Sequence, residues 1–156
     1  RFEWRLGLGG IASLAHDVII TLGVFSALQV EIDLTFVAAI LSVVGYSIND
    51  SIVVFDRVRE NFRKIRRVDT IDIIDISLTQ TLSRTIMTSL TTLIVVVALF
   101  FFGGPSIHNF SLALLIGIGF GTYSSIFIAI AIAYDVGLRR EHMIVQKVDK
   151  EIDDLP

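Results

Sequence analysis

Three ionisable residues lie within or at the edge of long apolar stretches of the sequence. Asp17 lies near the middle of one stretch, beside His16; Asp50 lies in a second, beside Asn49; and Arg84 stands at the start of a third. A charged side chain at the centre of a membrane-spanning helix costs about 2.5–3.5 kcal/mol on insertion scales, so it usually faces other protein and carries a function. A buried acid near a cation can take up and release a proton. We therefore predict that Asp17, Asp50 and Arg84 take part in proton translocation.

Asp50 has the most informative neighbours of the three. Tyr46 and Ser47 precede it by four and three residues and therefore share its face on a helix. Gly45 and Ser42 lower the bulk nearby, which predicts the close approach of another helix. A polar clamp that only fixes helix register is the alternative interpretation, and for Asp50 these neighbours favour the proton function.

Hydroxyl-bearing residues recur at intervals of three and four around Arg84, namely Thr81, Thr85, Thr88, Thr91 and Thr92. Two interpretations are open. Thr85 and Thr88, together with Asn49 and His16, can line a supporting polar path. Alternatively, the hydroxyls bond back to the carbonyl four residues earlier and serve only packing.

The remaining motifs favour packing or solvent contact. His16 either shares a proton with Asp17 or is a hydrogen-bonded interior histidine, and Asp17 itself can equally be a clamp. His108, in a short loop, is expected to be solvated. Gly117 and Gly121 have the four-residue spacing of a helix-packing face. Because metal-ligand spacing, a phosphate loop and a nucleophile triad are all missing from the sequence, we predict no metal, no cofactor and no enzyme activity.

Four stretches are long enough to cross a hydrocarbon core of about 30 Å at 1.5 Å per helical residue. They are approximately residues 6–28, 34–55, 85–102 and 110–134. The links at 29–33 and 103–109 are short, so each pair of stretches forms a helical hairpin. The sequence therefore predicts an all-α, polytopic membrane protein with four transmembrane helices in one domain, a connector at 56–84 and a tail at 136–156.

The composition agrees with a membrane protein. Of 156 residues, 53% are hydrophobic and 19% are charged, and the mean hydropathy is +0.74. Soluble domains seldom average so apolar. The lack of cysteine excludes thiol catalysis and cysteine-ligated metals. The sequence begins at Arg1 without a signal-peptide pattern, so we expect it to be part of a longer chain.

The basic residues all lie on one side of the predicted membrane. They precede the first stretch, occupy the connector or lie in the tail, whereas the two short loops have none. The positive-inside rule makes that side, with both termini, cytoplasmic. The basic run at 57–67 predicts a topology anchor that meets anionic lipid headgroups, rather than a nucleic-acid site.

The connector also contains a predicted helix that lies along the membrane surface. Asp69 can cap a helix that begins near Thr70. Apolar side chains then recur at helical spacing opposite two acids. The apolar residues are Ile71, Ile74, Leu78 and Leu82, and the acids are Asp72 and Asp75.

Three motifs show a resemblance to a known family. Residues 44–61 (VGYSINDSIVVFDRVREN), 15–18 (AHDV) and 82–89 (LSRTIMTS) closely resemble the signature of the SecF branch of the SecD/SecF family, which belongs to the resistance-nodulation-division superfamily. The motifs occur in the family's order, and the resemblance covers the whole chain.

The resemblance implies a function and partners. SecF-type proteins resemble the six-helix half of a resistance-nodulation-division transporter and pair with SecD. They assist the SecYEG channel, with YajC as a further partner, and are thought to use the proton-motive force to export polypeptides across the bacterial inner membrane. Asp50 matches the family's proton-carrying acid, Arg84 its functional arginine, and Asp17 a further acid. The chain matches only the last four helices, so the periplasmic domain expected to bind substrate is absent from it.

Two other function classes compete with a proton-driven translocase subunit. An assembly subunit would use its buried charges only to hold helices together, without a proton path of its own. An intramembrane aspartyl protease would place two acids on neighbouring helices around a catalytic water. That enzyme class expects Gly-x-Gly-Asp around one acid, and the residues before Asp50 lack it.

Overall fold

The computed structural model describes residues 4–65 and 68–138, and in these ranges all regular structure is helical. The chain forms five helices in the order α1 (Trp4–Ala27), α2 (Leu34–Lys64), α3 (Thr70–Phe102), α4 (Pro105–Ile126) and α5 (Ile128–Asp135). Arg1, the Arg66–Arg67 part of the predicted basic run, and the tail beyond Leu138 lie outside the described residues.

Four helical segments are long and apolar enough to cross a membrane: α1, α2, α3, and α4 together with α5. The prediction of four spanning helices in two hairpins is therefore confirmed. Helix α2 has 31 residues and α3 has 33, or about 46 and 50 Å at 1.5 Å per residue. Both exceed the hydrocarbon thickness and extend beyond it.

The two hairpin turns are built from residues that favour turns. Asp33 precedes α2 and accepts hydrogen bonds from the Phe36 amide (2.8 Å) and the Thr35 hydroxyl (2.7 Å), which caps the helix. Gly104 has a φ of 73°, a conformation that glycine adopts without strain. Pro105 then begins α4, where a missing amide hydrogen costs nothing. Together these residues fix both turns at one end of the bundle, which we call the hairpin end.

The predicted surface helix is not a separate element. The helix begins at Thr70 as expected, but it continues without a break to Phe102, because no residue in between interrupts helical geometry. Asp69 occupies the N-cap position, yet its side chain makes no capping hydrogen bond. The predicted apolar stripe is only partly buried: Ile74 is buried and Leu78 packs partly buried against the core, whereas Ile71 and Leu82 are exposed. The other buried residues of this segment are Ile73, Ser77 and Thr81.

Helices α2 and α4 form the centre of the bundle, with α1 and α3 packed on either side of them. The buried apolar side chains form two clusters. One lies towards the hairpin end and includes Phe25, Val43 and Ile118. The other lies towards the opposite end and includes Leu6, Val54 and Ala129, among others. Buried polar side chains from all four spanning segments lie between the two clusters, and we call this region the polar layer. Its members include Ser13, Asp17, Ser47, Asp50, Thr85, Ser89 and Ser124.

The fourth span contains a break that the sequence analysis did not predict. Helix α4 ends at Ile126 and α5 begins at Ile128, with Phe127 between them. The preceding residues Ser124 and Ser125 bond their hydroxyls to backbone carbonyls three residues earlier. Hydroxyls that bond to the backbone in this way often bend helices, which accounts for a break at this position.

Glycines allow the closest helix contacts. A Cβ at Gly117 would overlap the Val43 side chain, and one at Gly121 would lie 3.4 Å from Asp17 Oδ2. The predicted packing face of Gly117 and Gly121 is therefore confirmed. Gly9 is a third such position, where a Cβ would overlap the backbone carbonyl of Ala129. No helical spacing in the sequence distinguishes Gly9 from its neighbours Gly7 and Gly10.

Candidate proton-translocation site

Asp50 lies on the buried side of α2, within the polar layer. Its side chain is only 4% exposed, and Oδ2 has no hydrogen-bond partner within residues 4–65 and 68–138. The Arg84 guanidinium on α3 acts on this carboxylate through its charge. A buried carboxyl oxygen without a partner is unusual, because folded proteins satisfy nearly all buried polar atoms. Arg84 itself is exposed on α3, so it lies close enough to act on the buried acid through its charge without forming an ion pair with it among the described residues.

The register of α2 against α3 places Thr85 at the level of Asp50. Two hydrogen bonds fix this antiparallel pair: Tyr46 Oη donates to Ser89 Oγ over 3.1 Å, and Asn61 Nδ2 donates to Ser77 Oγ over 2.8 Å. Asp50 follows Tyr46 by four residues on α2, and Thr85 precedes Ser89 by four residues on α3. Because the helices are antiparallel, Asp50 and Thr85 lie at the same level. The Thr85 side chain is 1% exposed, and its hydroxyl has no partner in the described part of the chain. Two unpartnered polar groups thus face the same layer.

The threonine stripe divides into two sets. Thr81 and Thr85 are buried, whereas Thr88 and Thr91 are exposed. Thr88 Oγ1 donates to the Arg84 carbonyl over 3.1 Å, and Thr91 Oγ1 donates to the Met87 carbonyl over 3.0 Å. The back-bonding interpretation therefore holds for the exposed set. It also holds for half-buried Thr92 and buried Thr81, whose hydroxyls donate to the carbonyls of Thr88 over 2.9 Å and Ser77 over 3.0 Å. The buried row has strict four-residue spacing and includes two serines that the sequence analysis missed, in the order Ser77, Thr81, Thr85 and Ser89.

A polar face borders the seam between α2 and α3 on the outside of the bundle. Ser42, Gly45 and Asn49 on α2 are exposed, as are Arg84 and Thr88 on α3; we call these five residues the α2–α3 face. Nothing in the described chain lies within 4 Å of a Cβ built at Gly45. The helix that Gly45 and Ser42 are predicted to admit is therefore not among those described, because this side of α2 points away from them.

Asp17 forms a second acidic site, which does not include Arg84. Its side chain is 1% exposed and lies where α1 meets α2 and α4. Ser47 Oγ donates to Asp17 Oδ2 over 2.8 Å, and His16 Nδ1 lies 3.1 Å from Asp17 Oδ1. Ser47 lies one helical turn from Asp50 on α2. The two predicted acids are therefore on adjacent turns of one polar layer rather than in direct contact.

The polar layer includes hydrogen bonds that sequence reasoning did not identify. Ser89 Oγ lies 2.7 Å from Thr122 Oγ1, which joins α3 to α4. Ser13 Oγ lies 3.3 Å from Ser124 Oγ, which joins α1 to α4. These small hydroxyl residues are common in membrane helices, and only their register against a partner helix distinguishes the ones that bond across helices.

Residues outside the polar layer take ordinary surface roles. Exposed His108 stacks on Phe100 with ring centroids 4.2 Å apart. In the basic run, Glu60 pairs with Arg57 at 2.8 Å and with Lys64 at 2.5 Å. Two of the predicted headgroup-binding cations are thus partly neutralised within the helix itself.

Comparison with known proteins gives a consistent family assignment. A sequence profile described as "Protein export membrane protein SecD/SecF, C-terminal" matches residues 1–139. The chain is 92% identical over 156 residues to the protein translocase subunit SecF of Haemophilus influenzae, and 60% identical over 156 residues to that of Escherichia coli O157:H7. Each match covers 100% of this chain and 48% of the relative. The chain thus spans about half the length of these SecF proteins.

Two solved structures have the same fold. One is the crystal structure of SecDF in its super-membrane-facing form, with a TM-score of 0.85 and 48% identity over 90% of this chain and 19% of that one. The other is SecDF from Thermus thermophilus, described as a translocon-associated membrane protein, with a TM-score of 0.84 and 47% identity over 89% of this chain and 19% of that one. The chain therefore belongs to the SecD/SecF family of protein-export membrane proteins and corresponds to the C-terminal part of its SecF members.

Proposed function

We propose that this chain is the proton-coupling part of a translocase subunit that pairs with SecD. In this proposal the pair uses the proton-motive force to draw exported polypeptides through the SecYEG channel across the bacterial inner membrane, with YajC as a further partner. The subunit moves protons and changes shape but catalyses no covalent reaction. The names of its relatives support this role, since they are translocase subunits and a translocon-associated membrane protein.

The observation that carries the proposal is Asp50, a buried acid in a spanning helix with an unpartnered carboxyl oxygen and a cation acting on it. A structural clamp would use both oxygens in hydrogen bonds. Burial favours the neutral acid, whereas a nearby guanidinium favours the carboxylate. Movement of Arg84 towards Asp50 and away from it would therefore release and rebind a proton.

The energy available is sufficient for directional movement. One proton crossing 100 mV supplies about 2.3 kcal/mol. That energy biases a step about 50-fold, at about 1.36 kcal/mol per factor of ten. Each proton that crosses would thus strongly disfavour backward slipping of the exported chain.

The α2–α3 face supports a partner on this side of the bundle. Asn49 and Arg84 are exposed polar groups on spanning helices, and polar groups facing lipid are costly. We propose that SecD covers this face, so that Arg84 lies between the two subunits. The one-sided basic residues support an orientation with both ends of the chain in the cytoplasm.

An assembly subunit without a proton path is the second candidate. The Asp17 site favours it, because the Ser47 hydrogen bond joins α1 to α2 and Gly121 admits α4 to the same point. Such a clamp fixes helix register whether or not a proton moves. The two candidate functions differ over Asp50: proton coupling requires its carboxyl group to ionise, whereas an assembly subunit does not.

The test uses the full complex in inverted membrane vesicles, with and without a proton gradient. Asp50→Asn keeps the shape but cannot ionise, so we expect it to co-purify with SecD and to lose the stimulation of export by the gradient. Arg84→Ala should fail as well, whereas Arg84→Lys should keep part of the activity if a point charge suffices. Asp56→Asn is the matched control, because Asp56 is an exposed acid on the same helix. A normal response of Asp50→Asn to the gradient would favour the assembly subunit.

A further inference from the structure

A groove of about 530 Å³ opens between α1 and α4. It follows residues 115–123 of α4, a length of about 12 Å at 1.5 Å per residue. Its walls are almost entirely apolar, and His16 is the basic residue among those that line it. The residues that line the groove with His16 are Ile20, Leu115, Ile116, Gly119, Phe120 and Tyr123.

His16 connects this groove to the interior of the bundle. Its side chain is 31% exposed, whereas that of the adjacent Asp17 is 1% exposed. The two oxygens of Asp17 have different partners: Oδ2 accepts from Ser47 on α2, and Oδ1 lies 3.1 Å from His16 Nδ1. The carboxyl group therefore contacts a fixed interior hydroxyl on one side and a group that reaches the groove on the other.

The contact between His16 and Asp17 has no value as a helix clamp. The two residues are neighbours on α1, so their bond joins no two helices. The Ser47 bond links α1 to α2. If Asp17 served only to join helices, its hydrogen bond with Ser47 would suffice without the imidazole. The partly exposed ring therefore needs another explanation.

The other titratable groups near this pair are few. Helix α2 contributes Asp50, one turn from Ser47, and α4 contributes Tyr123 at the groove. Helix α5 also packs on α1, but it does so around Gly9, two turns away from His16. Among the described residues, the imidazole is thus the basic group in contact with Asp17.

We propose that His16 and Asp17 form a second proton-exchange site, in which the imidazole passes protons between the α1–α4 groove and the buried carboxylate. The proposal rests on the proton-driven function proposed above. A proton from the groove binds Nε2 and gives the imidazolium. The Nδ1–H bond then breaks as an O–H bond forms on Asp17 Oδ1, which leaves a neutral ring and a neutral acid. Asp17 is then the acid on the groove side, and Asp50 is the acid beside Arg84.

The test is His16→Gln, which keeps hydrogen-bonding groups but cannot carry a positive charge. The full complex is assayed for gradient-stimulated export between pH 5.5 and 8, and for co-purification with SecD. We expect normal co-purification, stimulation reduced about tenfold, and a flattened pH profile; a positioned proton-transfer group contributes about 100-fold or more, and water in the groove replaces part of that. His108→Gln is the matched control, since His108 is exposed at the hairpin end.

Two outcomes would overturn the proposal. His16→Gln with wild-type stimulation and pH profile would make the imidazole a bystander. Loss of SecD from the His16→Gln complex would make it a structural residue. In both cases, loss of gradient-stimulated export in Asp50→Asn would leave the proposed function standing. If Asp50→Asn and His16→Gln both respond to the gradient as wild type does, the proposed function fails as well.

Discussion

The contact between Gly117 and Val43 offers a sharp test of how the bundle is packed. A Cβ at Gly117 would overlap the Val43 side chain, and Val43 is buried in the apolar cluster near the hairpin end. Overpacking a buried site costs about 1–3 kcal/mol, whereas replacing glycine by alanine in a helix gains about 1 kcal/mol. Gly117→Ala should therefore lower the free energy of unfolding by up to about 2 kcal/mol.

Val43→Ala should relieve this overlap. Alone, it removes two buried methyl groups, worth about 1.6 kcal/mol at 0.8 kcal/mol per group. In the double variant the alanine at position 117 occupies part of the space that is vacated. We expect the double variant to be at least about 1 kcal/mol more stable than the sum of the single effects, within the range of coupling energies between contacting residues.

The assay is reversible unfolding of the complex in mixed detergent micelles, followed by circular dichroism. Gly119→Ala is the matched control, because it lies two residues away on the same helix and a Cβ there has nothing within 4 Å. The control should be neutral or slightly stabilised. If Gly117→Ala is as stable as Gly119→Ala, or if Val43→Ala brings no relief, the close approach of α2 and α4 described above is wrong.

Two further predictions concern the ends of the bundle. A cysteine at Lys64 should react only with reagents supplied from the cytoplasm, and one at Ser106 only with reagents from outside; labelling of Ser106 from the cytoplasm would reverse the proposed orientation. Hydrogen bonds from the Thr35 hydroxyl and the Phe36 amide hold the pKa of Asp33 below its ordinary value of 3.8. The Asp33 carboxylate should therefore stabilise the turn above that pH and lose the effect as pH falls through the lower folded pKa. Titration of Asp33 by NMR should give a midpoint below 3.8, which Thr35→Val should raise; a midpoint that Thr35→Val leaves unchanged would contradict this cause.

The parts of the fold that follow from composition and spacing were predictable from the sequence. Hydropathy identifies segments long enough to span a membrane, and the spacing of Gly117 and Gly121 indicates a packing face. Helix ends were less predictable. The predicted surface helix and the third span form the single helix α3, because helix propensity does not distinguish a surface segment from the start of a span. The break at Phe127 depends on hydroxyl rotamers, which the sequence does not specify.

The candidate site was predictable in its residue types but not in its geometry. Asp17, Asp50 and Arg84 are conspicuous because charge is costly in an apolar stretch. Their division into two sites depends on the rotation of α1 and α3 about their axes, which hydropathy does not fix. The same rotation decides that Thr85 faces the interior and Thr88 the outside.

The two apolar clusters on either side of the polar layer have an electrical consequence. A membrane potential falls mainly across regions of low dielectric constant, and both clusters consist of buried apolar side chains. In the proposed function, each cluster would therefore act as an insulating plug on one side of the polar layer. A proton that passed one plug would have crossed only part of the field, and it would complete the crossing when the other plug loosened. Opening both plugs at once would short-circuit the membrane, so the packing of Phe25 and Val43 on one side, and of Leu6 and Val54 on the other, would protect the gradient itself.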